Sequence, residues 1–259
     1  MIAFIHIEKT AGSTFKNVLR RSFGLHHCDA VAAQDGIFRD RDLQLANIVY
    51  LGLRSLCSHH FKDSVHTLSA PIDFVTFVRD PVQRTASHYQ QLVKRVEKGR
   101  IHGLPEFEEW LQSKALNFQI RKLSGGDDVD AAIRLIEEHF MFVGLTDQYE
   151  QSLRAFAALS PWPVNTRIEK RNVAANVSTK NRLLDDPKSR ALIEEATQAD
   201  RQLYTYLKDE FFPAQQQRAD AARARHGSRD YTGDHYLASR YYTNLVYRPA
   251  VKISRMLKR

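Results

Sequence analysis

Residues 4–15 read Phe-Ile-His-Ile-Glu-Lys-Thr-Ala-Gly-Ser-Thr-Phe, and this stretch decides the fold. An apolar run ends at Lys9, a turn of small residues follows, and a helical pattern begins after Gly12. Such a loop presents backbone N–H groups, one cation and the positive end of a helix to a single anion. The stretch therefore predicts a phosphate-binding loop, with an ordinary strand-to-helix turn as the plain alternative. It is not a Walker A loop, because Lys9 precedes the glycine instead of following it.

A second strand-to-helix junction lies at residues 74–81, which read Phe-Val-Thr-Phe-Val-Arg-Asp-Pro. Here too an apolar run, typical of a strand covered on both faces, ends in a cation, Arg79. Pro81 suits the first turn of a helix, and Asp80 suits its N-cap. Open α/β sheets bind ligands at the carboxyl ends of their strands. We therefore expect a second anion contact at Arg79, with an Arg–Asp pair that only caps a helix as the alternative.

Strands and helices alternate along the chain, which predicts an α/β, three-layer P-loop-type fold with a central parallel sheet flanked by helices. A long helix is expected from Pro81 to Lys98. The strands are expected at residues 2–7, 29–31, 55–61, 74–78 and 140–143. The chain of 259 residues is long enough to bury a full core. We expect the main domain at residues 1–213 and a basic, tyrosine-rich extension at residues 214–259.

The two junctions together resemble the sulfotransferase superfamily, whose members use 3′-phosphoadenosine-5′-phosphosulfate (PAPS). Residues 9–15 resemble its K-x-x-G-S-T-F loop for the 5′-phosphosulfate, and residues 78–89 resemble its V-R-D-P-x-x-R-x-x-S-x-Y segment. Residues 117–123 and 142–150 are similar to the N-x-Q-x-R-x-L helix and the F-V-G-L-T-E strand of the carbohydrate branch, which includes heparan sulfate 2-O- and 6-O-sulfotransferases and bacterial relatives. The resemblance covers about residues 1–210, and Glu8 stands where relatives usually carry Pro.

The resemblance implies PAPS as the sulfuryl donor and a hydroxyl of a carbohydrate or glycoconjugate as the acceptor, with no metal. It implies that Lys9 is catalytic and donates to the departing bridging oxygen. The residues implied to contact the nucleotide are Lys9, Thr10, Ala11, Gly12, Ser13, Thr14, Arg79, Ser87, Arg171 and Lys180. Gln119 and Arg121 are candidates for contacts with the substrate, with helix packing as an equal alternative.

A general base for the acceptor hydroxyl is expected between the two junctions, where residues 58–61 read Ser-His-His-Phe. Histidine has a suitable ordinary pKa for this role, and the resemblance to a G-H-[FV] segment implies one of this pair. Neighbouring residues of an extended segment face opposite sides, so only one ring is expected to enter the cleft. Matching the histidine that precedes the aromatic residue favours His60 as catalytic over His59. A histidine pair on a polar loop is the plain alternative.

The net charge of +8 lies almost entirely near the carboxyl terminus. Residues 218–259 carry ten Lys/Arg and three Asp, which leaves +1 for residues 1–217 and argues against nucleic acid as a partner. From Pro249 the pattern is that of a basic amphipathic helix, which predicts docking on an acidic membrane surface. The residues expected on its apolar face are Val246, Ala250, Ile253 and Leu257. The alternatives are packing on its own domain, a homo-oligomer contact and binding of an acidic polysaccharide.

Other features of the sequence predict a cytoplasmic enzyme. The basic C-terminal segment adds the alternative that this enzyme is bound peripherally at the membrane. No apolar run is long enough for a membrane span, and the first residues read as the phosphate-loop strand instead of a signal peptide. Cys28 and Cys57 are expected to be free, buried thiols. Two competing functions are a nucleotide or small-molecule kinase, in which Asp80 would bind Mg²⁺, and a nucleotide-binding interaction module without catalysis.

Overall fold

A computed structural model describes residues 1–32, 36–61, 68–167, 178–227 and 231–256. Five strands form one parallel sheet in the order β2-β3-β1-β4-β5. The strands are β1 (Ile2–Ile5), β2 (His27–Asp29), β3 (Ser55–Ser58), β4 (Asp73–Val78) and β5 (Phe140–Leu145). The central parallel sheet and the α/β class predicted from the sequence are thereby confirmed.

Helices flank the sheet, and the long helix predicted from Pro81 is present. The helices are α1 (Gly12–Phe23), α2 (Asp40–Val49), α3 (Pro81–Glu97), α4 (Phe107–Trp110), α5 (Phe118–Ser124), α6 (Val129–His139), α7 (Tyr149–Leu159), α8 (Ser178–Asp185), α9 (Pro187–Ala196), α10 (Gln198–Tyr206), α11 (Phe212–His226), α12 (Tyr236–Tyr242) and α13 (Arg248–Met256). Three π-helical segments follow α4, α10 and α12, at Leu111–Ala115, Leu207–Phe211 and Thr243–Tyr247. Within the described ranges, no helix is both long and apolar enough to cross a membrane.

Strand β1 is buried on both faces, because its side chains alternate between two apolar clusters. Ile2 and Phe4 belong to the cluster that includes Phe15 of α1, and the rings of Phe4 and Phe15 meet edge to face at 4.7 Å. Ala3 and Ile5 belong to the cluster on the opposite face. Strand β1 lies at the centre of the sheet, which explains this double burial. The loop that follows β1 therefore emerges between β3 and β4.

Strand β2 lies two residues earlier than the sequence analysis predicts. It begins at His27, which is fully buried, and the Nδ1 atom of His27 lies 2.7 Å from the Oγ atom of Ser55 in β3. A buried, hydrogen-bonded polar residue breaks the apolar pattern by which the strand was located, which explains the error. Cys28 in this strand and Cys57 in β3 are free, buried thiols, as expected.

Helix α11 runs across the predicted boundary between residues 213 and 214. Its Gln215 is fully buried. The side-chain amide of Gln215 accepts from the N–H of Val143 in β5 at 2.8 Å and donates to the carbonyl of Val143 at 3.0 Å. The first part of the predicted extension is therefore joined directly to the central sheet.

The C-terminal helices also pack against the main body of the protein. Tyr247 is fully buried beside Tyr50, with ring centroids 5.6 Å apart. The hydroxyl of Tyr242 donates to the carbonyl of Val49 at 2.7 Å, and that of Tyr50 lies 3.0 Å from Thr243 Oγ1. Of the contacts considered for the basic extension, packing on its own domain is therefore present.

We predict that Tyr247→Ala lowers the free energy of unfolding by about 3–5 kcal/mol, the usual range for removing a large buried aromatic side chain. Tyr241→Ala is the matched control, because Tyr241 lies in the same C-terminal segment but is 61% exposed. Urea denaturation followed by circular dichroism measures both. Equal stability of the two variants would contradict the packing of the C-terminal segment on the core.

Candidate active site

Three neighbouring strands of the sheet end at the segments that the sequence singled out. Strand β3 leads to His59 and His60, and β4 leads to Arg79. Strand β1 leads to residues 6–11, which we call the Lys9 loop. The pairing of β1 and β3 continues past the strands, since the N–H of His6 donates to the carbonyl of Ser58 at 3.0 Å. Strands β2 and β3 lie on one side of β1, and β4 and β5 lie on the other side. In open α/β sheets, ligands bind where the strand order changes direction in this way.

The loop after β1 has an unusual backbone conformation. Lys9 and Ala11 have positive φ values of 74° and 60°, and they are two of only three non-glycine residues with positive φ in the described ranges. The buried hydroxyl of Thr10 donates to the carbonyl of Ile7 at 3.0 Å and closes the turn. Left-handed backbone at non-glycine residues is disfavoured and is concentrated at ligand-binding sites. The side chain of Thr10 thus shapes the loop through its own backbone hydrogen bond.

Helix α1 begins at this loop with its amino terminus uncapped. Ala11 is the N-cap and provides no side-chain hydrogen bond, while its carbonyl accepts from the N–H of Thr14 at 2.9 Å. The first amides of a helix have no partner within the helix, so those of Gly12 and Ser13 are available to an anion. Ser13 is exposed and Thr14 is half-buried, so both hydroxyls lie beside these amides at the surface.

Gly12 is required by the neighbouring histidine ring. A Cβ atom at Gly12 would lie 2.0 Å from Cδ2 of His6, closer than any real contact. His6 is buried, and burial, together with the charges of His59 and Lys16, lowers its pKa to about 3. The His6 ring is therefore neutral near neutral pH and supports the first turn of α1.

Arg79 is held by its backbone at the end of β4. Its N–H donates to Gln119 Oε1 at 3.0 Å, and Gln119 Nε2 donates back to its carbonyl at 2.8 Å. The carboxylate of Asp200 accepts from the N–H groups of Gln119 at 3.0 Å and Ile120 at 2.7 Å, which anchors the start of α5. The guanidinium of Arg79 is left to reach the other strand end, where Nη1 donates to the carbonyl of Lys9 at 3.2 Å.

Like charges are crowded at this place. Burial lowers the pKa of Lys9, and the charges of Arg79 and Lys94 lower it further. Burial also lowers the pKa of Arg79, although the charges of Asp80 and Asp147 oppose this shift, and burial and then the charge of Arg79 lower the pKa of Lys180. No carboxylate among the described residues lies within ion-pairing distance of Lys9 or Arg79. An anion bound here would relieve the repulsion, so the site suits a multiply charged ligand.

The remaining predicted contacts are distributed around this centre. Ser87 is half-buried on α3. The backbone N–H of Lys180 in α8 donates at 3.0 Å to Oε1 of Gln90, which lies on α3 like Ser87. The exposed guanidinium of Arg121 pairs with Asp127, with Nε 2.6 Å from Oδ1. Arg171 lies outside the described residues.

The two histidines after β3 point to different partners. The ring of His59 stacks on His6, with centroids 3.8 Å apart, and its Nδ1 atom lies 3.0 Å from the carbonyl oxygen of His6 and 3.2 Å from Glu8 Oε1. His60 Nδ1 lies 3.1 Å from the carbonyl oxygen of Gly36, on the far side of β3 from the loop. His59 is therefore the histidine that contacts the Lys9 loop.

A lysine and an acid complete the surroundings of His59. Lys122 Nζ donates to the carbonyl of His59 at 2.6 Å and lies 3.9 Å from Glu8 Oε1. Burial opposes ionisation of Glu8, but the hydrogen bond from His59 and the charge of Lys122 prevail and lower its pKa to about 2. Glu8 is thus a carboxylate at neutral pH.

Residues 1–211 match the family model described as the sulfotransferase family. The chain belongs to the sulfotransferase family. The match contains all five strands, the Lys9 loop, both histidines and Arg79, and it ends one residue before α11. The comparison with curated proteins gave no match.

Sequence reasoning missed two residues of the site in this sulfotransferase family member. Glu8 was noted only as the position at which relatives usually carry Pro, although an acid beside a loop of cations is itself a signal. Lys122 was passed over because it occupies the unspecified position between Arg121 and Leu123 in the N-x-Q-x-R-x-L pattern. Within the described ranges, no group of three or more His, Cys, Asp or Glu side chains is placed to hold a metal ion.

Proposed function

We propose that this protein transfers a sulfuryl group from PAPS to a hydroxyl of a carbohydrate or glycoconjugate. The observation that carries the proposal is the pair of half-buried cations, Lys9 and Arg79, which lie at neighbouring strand ends beside the open amino terminus of α1. Among the described residues, no carboxylate lies within ion-pairing distance of either. Membership of the sulfotransferase family supports sulfuryl transfer as the reaction. The carbohydrate acceptor is favoured by the resemblance of residues 117–123 and 142–150 to the carbohydrate branch.

PAPS carries two separate anionic groups, and the site offers two places for them. The Lys9 loop and the first amides of α1 suit the 5′-phosphosulfate, since helix amino termini bind phosphates. Arg79 and Ser87 suit the 3′-phosphate, as the resemblance implies, and Lys180 adds charge beside Arg79. We include Arg171 among these contacts on the resemblance alone.

The transfer requires charge stabilisation on one side of the sulfur and proton removal on the other. PAPS supplies the sulfuryl group, and the products are a sulfate ester and 3′,5′-ADP. Lys9 stabilises the negative charge that develops on the departing phosphate oxygen, and a fixed cation in a partly buried site does this effectively. A histidine accepts the proton of the acceptor hydroxyl as that oxygen bonds to sulfur. We assign this role to His59 in preference to His60, because the ring of His59 lies against the loop.

The kinase alternative is less favoured by the contacts of Asp80. In that alternative Asp80 would bind Mg²⁺, but its Oδ1 atom accepts from the N–H of Gln83 at 2.8 Å and caps α3. The binding-module alternative would leave Lys9 and His59 without a catalytic role. Free, buried thiols at Cys28 and Cys57 suit a reducing compartment, so the proposal includes a cytoplasmic location.

We predict that the protein binds 3′,5′-ADP in the presence of EDTA and more tightly than 5′-AMP. Arg79→Ala should weaken binding of 3′,5′-ADP by about 2–5 kcal/mol, the range for removing one partner of a buried charged contact. Arg100→Ala is the matched control, because Arg100 is exposed on the turn after α3. Calorimetry that gives equal affinities for the two nucleotides would contradict the 3′-phosphate contact.

We also predict that Lys9→Ala and His59→Ala abolish turnover in different ways. Lys9→Ala should weaken nucleotide binding and slow the chemical step. His59→Ala should leave binding of 3′,5′-ADP nearly unchanged and lower the rate by about 10²–10⁴, as loss of a general base does. Sulfate transfer from labelled PAPS to a glycan panel, read by mass spectrometry, measures the rates. A fully active His59→Ala beside an inactive His60→Ala would reverse the assignment of the base.

A further inference from the structure

The contacts of His59 determine which of its ring nitrogens carries hydrogen. Two acceptors face Nδ1, namely the carbonyl oxygen of His6 at 3.0 Å and the Oε1 atom of Glu8 at 3.2 Å. Neither oxygen can donate when Glu8 is ionised, so Nδ1 must be the N–H. Nε2 bonds to none of the described residues and is left with its lone pair. The neutral ring therefore presents a proton acceptor on the side away from Glu8.

The position of the ring is fixed from three sides. His6 stacks on one face, with an angle of 28° between the rings. Lys122 holds the backbone carbonyl of His59 at 2.6 Å, and Glu8 holds the ring edge. Because Lys122 Nζ lies 3.9 Å from Glu8 Oε1 and its charge lowers the pKa of Glu8, Glu8 stays ionised and offers a negative charge next to the ring.

Among the described residues, His60 has no equivalent arrangement. Its Nδ1 atom meets only a backbone carbonyl there, that of Gly36. A carbonyl can orient a ring, but it carries no net charge to stabilise an imidazolium. Within the part of the chain that the structure describes, an acid contacts His59 and none contacts His60.

We propose that Glu8 is a positioning residue that orients His59 and stabilises the imidazolium formed when Nε2 takes the proton of the acceptor hydroxyl. Glu8 does not contact the acceptor. This inference rests on the proposed function, because it assigns a partner to the base of that reaction.

Glu8→Gln tests the charge, because it keeps the size and an acceptor oxygen. We expect kcat to fall by about tenfold or more, as for loss of an opposite charge beside an ionising group. KM for PAPS and the affinity for 3′,5′-ADP should stay within about twofold, since Glu8 is not placed among the nucleotide contacts. Glu138→Gln is the matched control, because Glu138 lies 3.7 Å from His139 but outside the site. Thermal unfolding checks that each variant is folded.

A second measurement does not depend on turnover. Nitrogen-15 NMR of the full-length protein, well above the ordinary histidine pKa, should show His59 as the Nδ1–H tautomer in the wild type. Glu8→Gln should keep this tautomer, because the carbonyl of His6 still accepts. An Nε2–H tautomer in the wild type, or an unchanged kcat in Glu8→Gln, overturns the inference. Absence of sulfate transfer by the wild type together with the Nδ1–H tautomer would overturn the proposed function and leave the orientation of His59 supported.

An independent observation concerns the outer face of the C-terminal helices. Their inner face is buried through Ser239, Thr243, Tyr247 and Val251. The outer face exposes large apolar side chains. These are Leu237, Tyr241, Leu245, Ile253 and Met256, each more than half exposed. Isolated exposed apolar residues are ordinary, but a row of them along one helical segment is typical of an interaction surface.

The charge on this face identifies the partner. Arg240, Arg248 and Lys252 are exposed along it, and residues 235–259 contain no Asp or Glu. A second copy of the chain would bring like charges together, whereas acidic lipid headgroups would neutralise them. We propose that this face docks on a bilayer that contains acidic lipids, with the apolar row at the headgroup boundary.

Co-sedimentation with vesicles tests this surface in the full chain. The wild type should pellet with phosphatidylglycerol vesicles, less at high salt, and not with phosphatidylcholine vesicles. Leu245→Glu and Ile253→Glu should each lose most of the binding, while Val96→Glu, at an exposed apolar position of α3, should not. Unchanged pelleting of both variants overturns the proposal. A dimer in sedimentation velocity that Leu245→Glu dissociates also overturns it in favour of a second copy.

Discussion

The site depends on two cations that are held together against their mutual repulsion. The guanidinium of Arg79 donates to the carbonyl of Lys9, and both groups lose hydration by burial. Such an arrangement persists only if the backbone on both sides is rigid. The double-sided burial of β1, the amide pairing of Gln119 with Arg79 and the packing of His6 on Gly12 provide that rigidity. Both cations lie beside the open amino terminus of α1, where a bound anion would offset their repulsion.

The placement of Lys9 and Arg79 at neighbouring strand ends could be predicted because each depends on a local pattern. Lys9 and Arg79 follow short apolar runs, and a parallel sheet brings such strand ends to one edge. Which of His59 and His60 contacts the loop after β1 could not be chosen in the same way. The alternation of side chains applies only within the strand, but β3 ends at Ser58, so it does not govern the directions of His59 and His60. The contact of Glu8 with His59 joins residues 51 positions apart, which no local pattern reports.

The C-terminal segment shows another limit of pattern reading. A regular helical period puts Val246, Ala250 and Ile253 on one face, but the π-helical segment Thr243–Tyr247 shifts the period by one residue. Tyr247 and Val251 are buried, while Val246 and Ile253 are exposed. The amphipathic character is evident from the sequence, whereas the side that meets the protein depends on tertiary contacts such as that of Tyr247 with Tyr50.

The contact between Gln215 and Val143 has a consequence for the association of the protein with other chains. β5 is the outermost strand on its side of the sheet, and an unpaired edge invites another chain to add a strand. The amide of Gln215 imitates one residue of such a strand by satisfying both the N–H and the carbonyl of Val143. Helix α11 therefore protects that edge from intermolecular β-pairing. Loss of this helix would expose the molecule to aggregation as well as to unfolding.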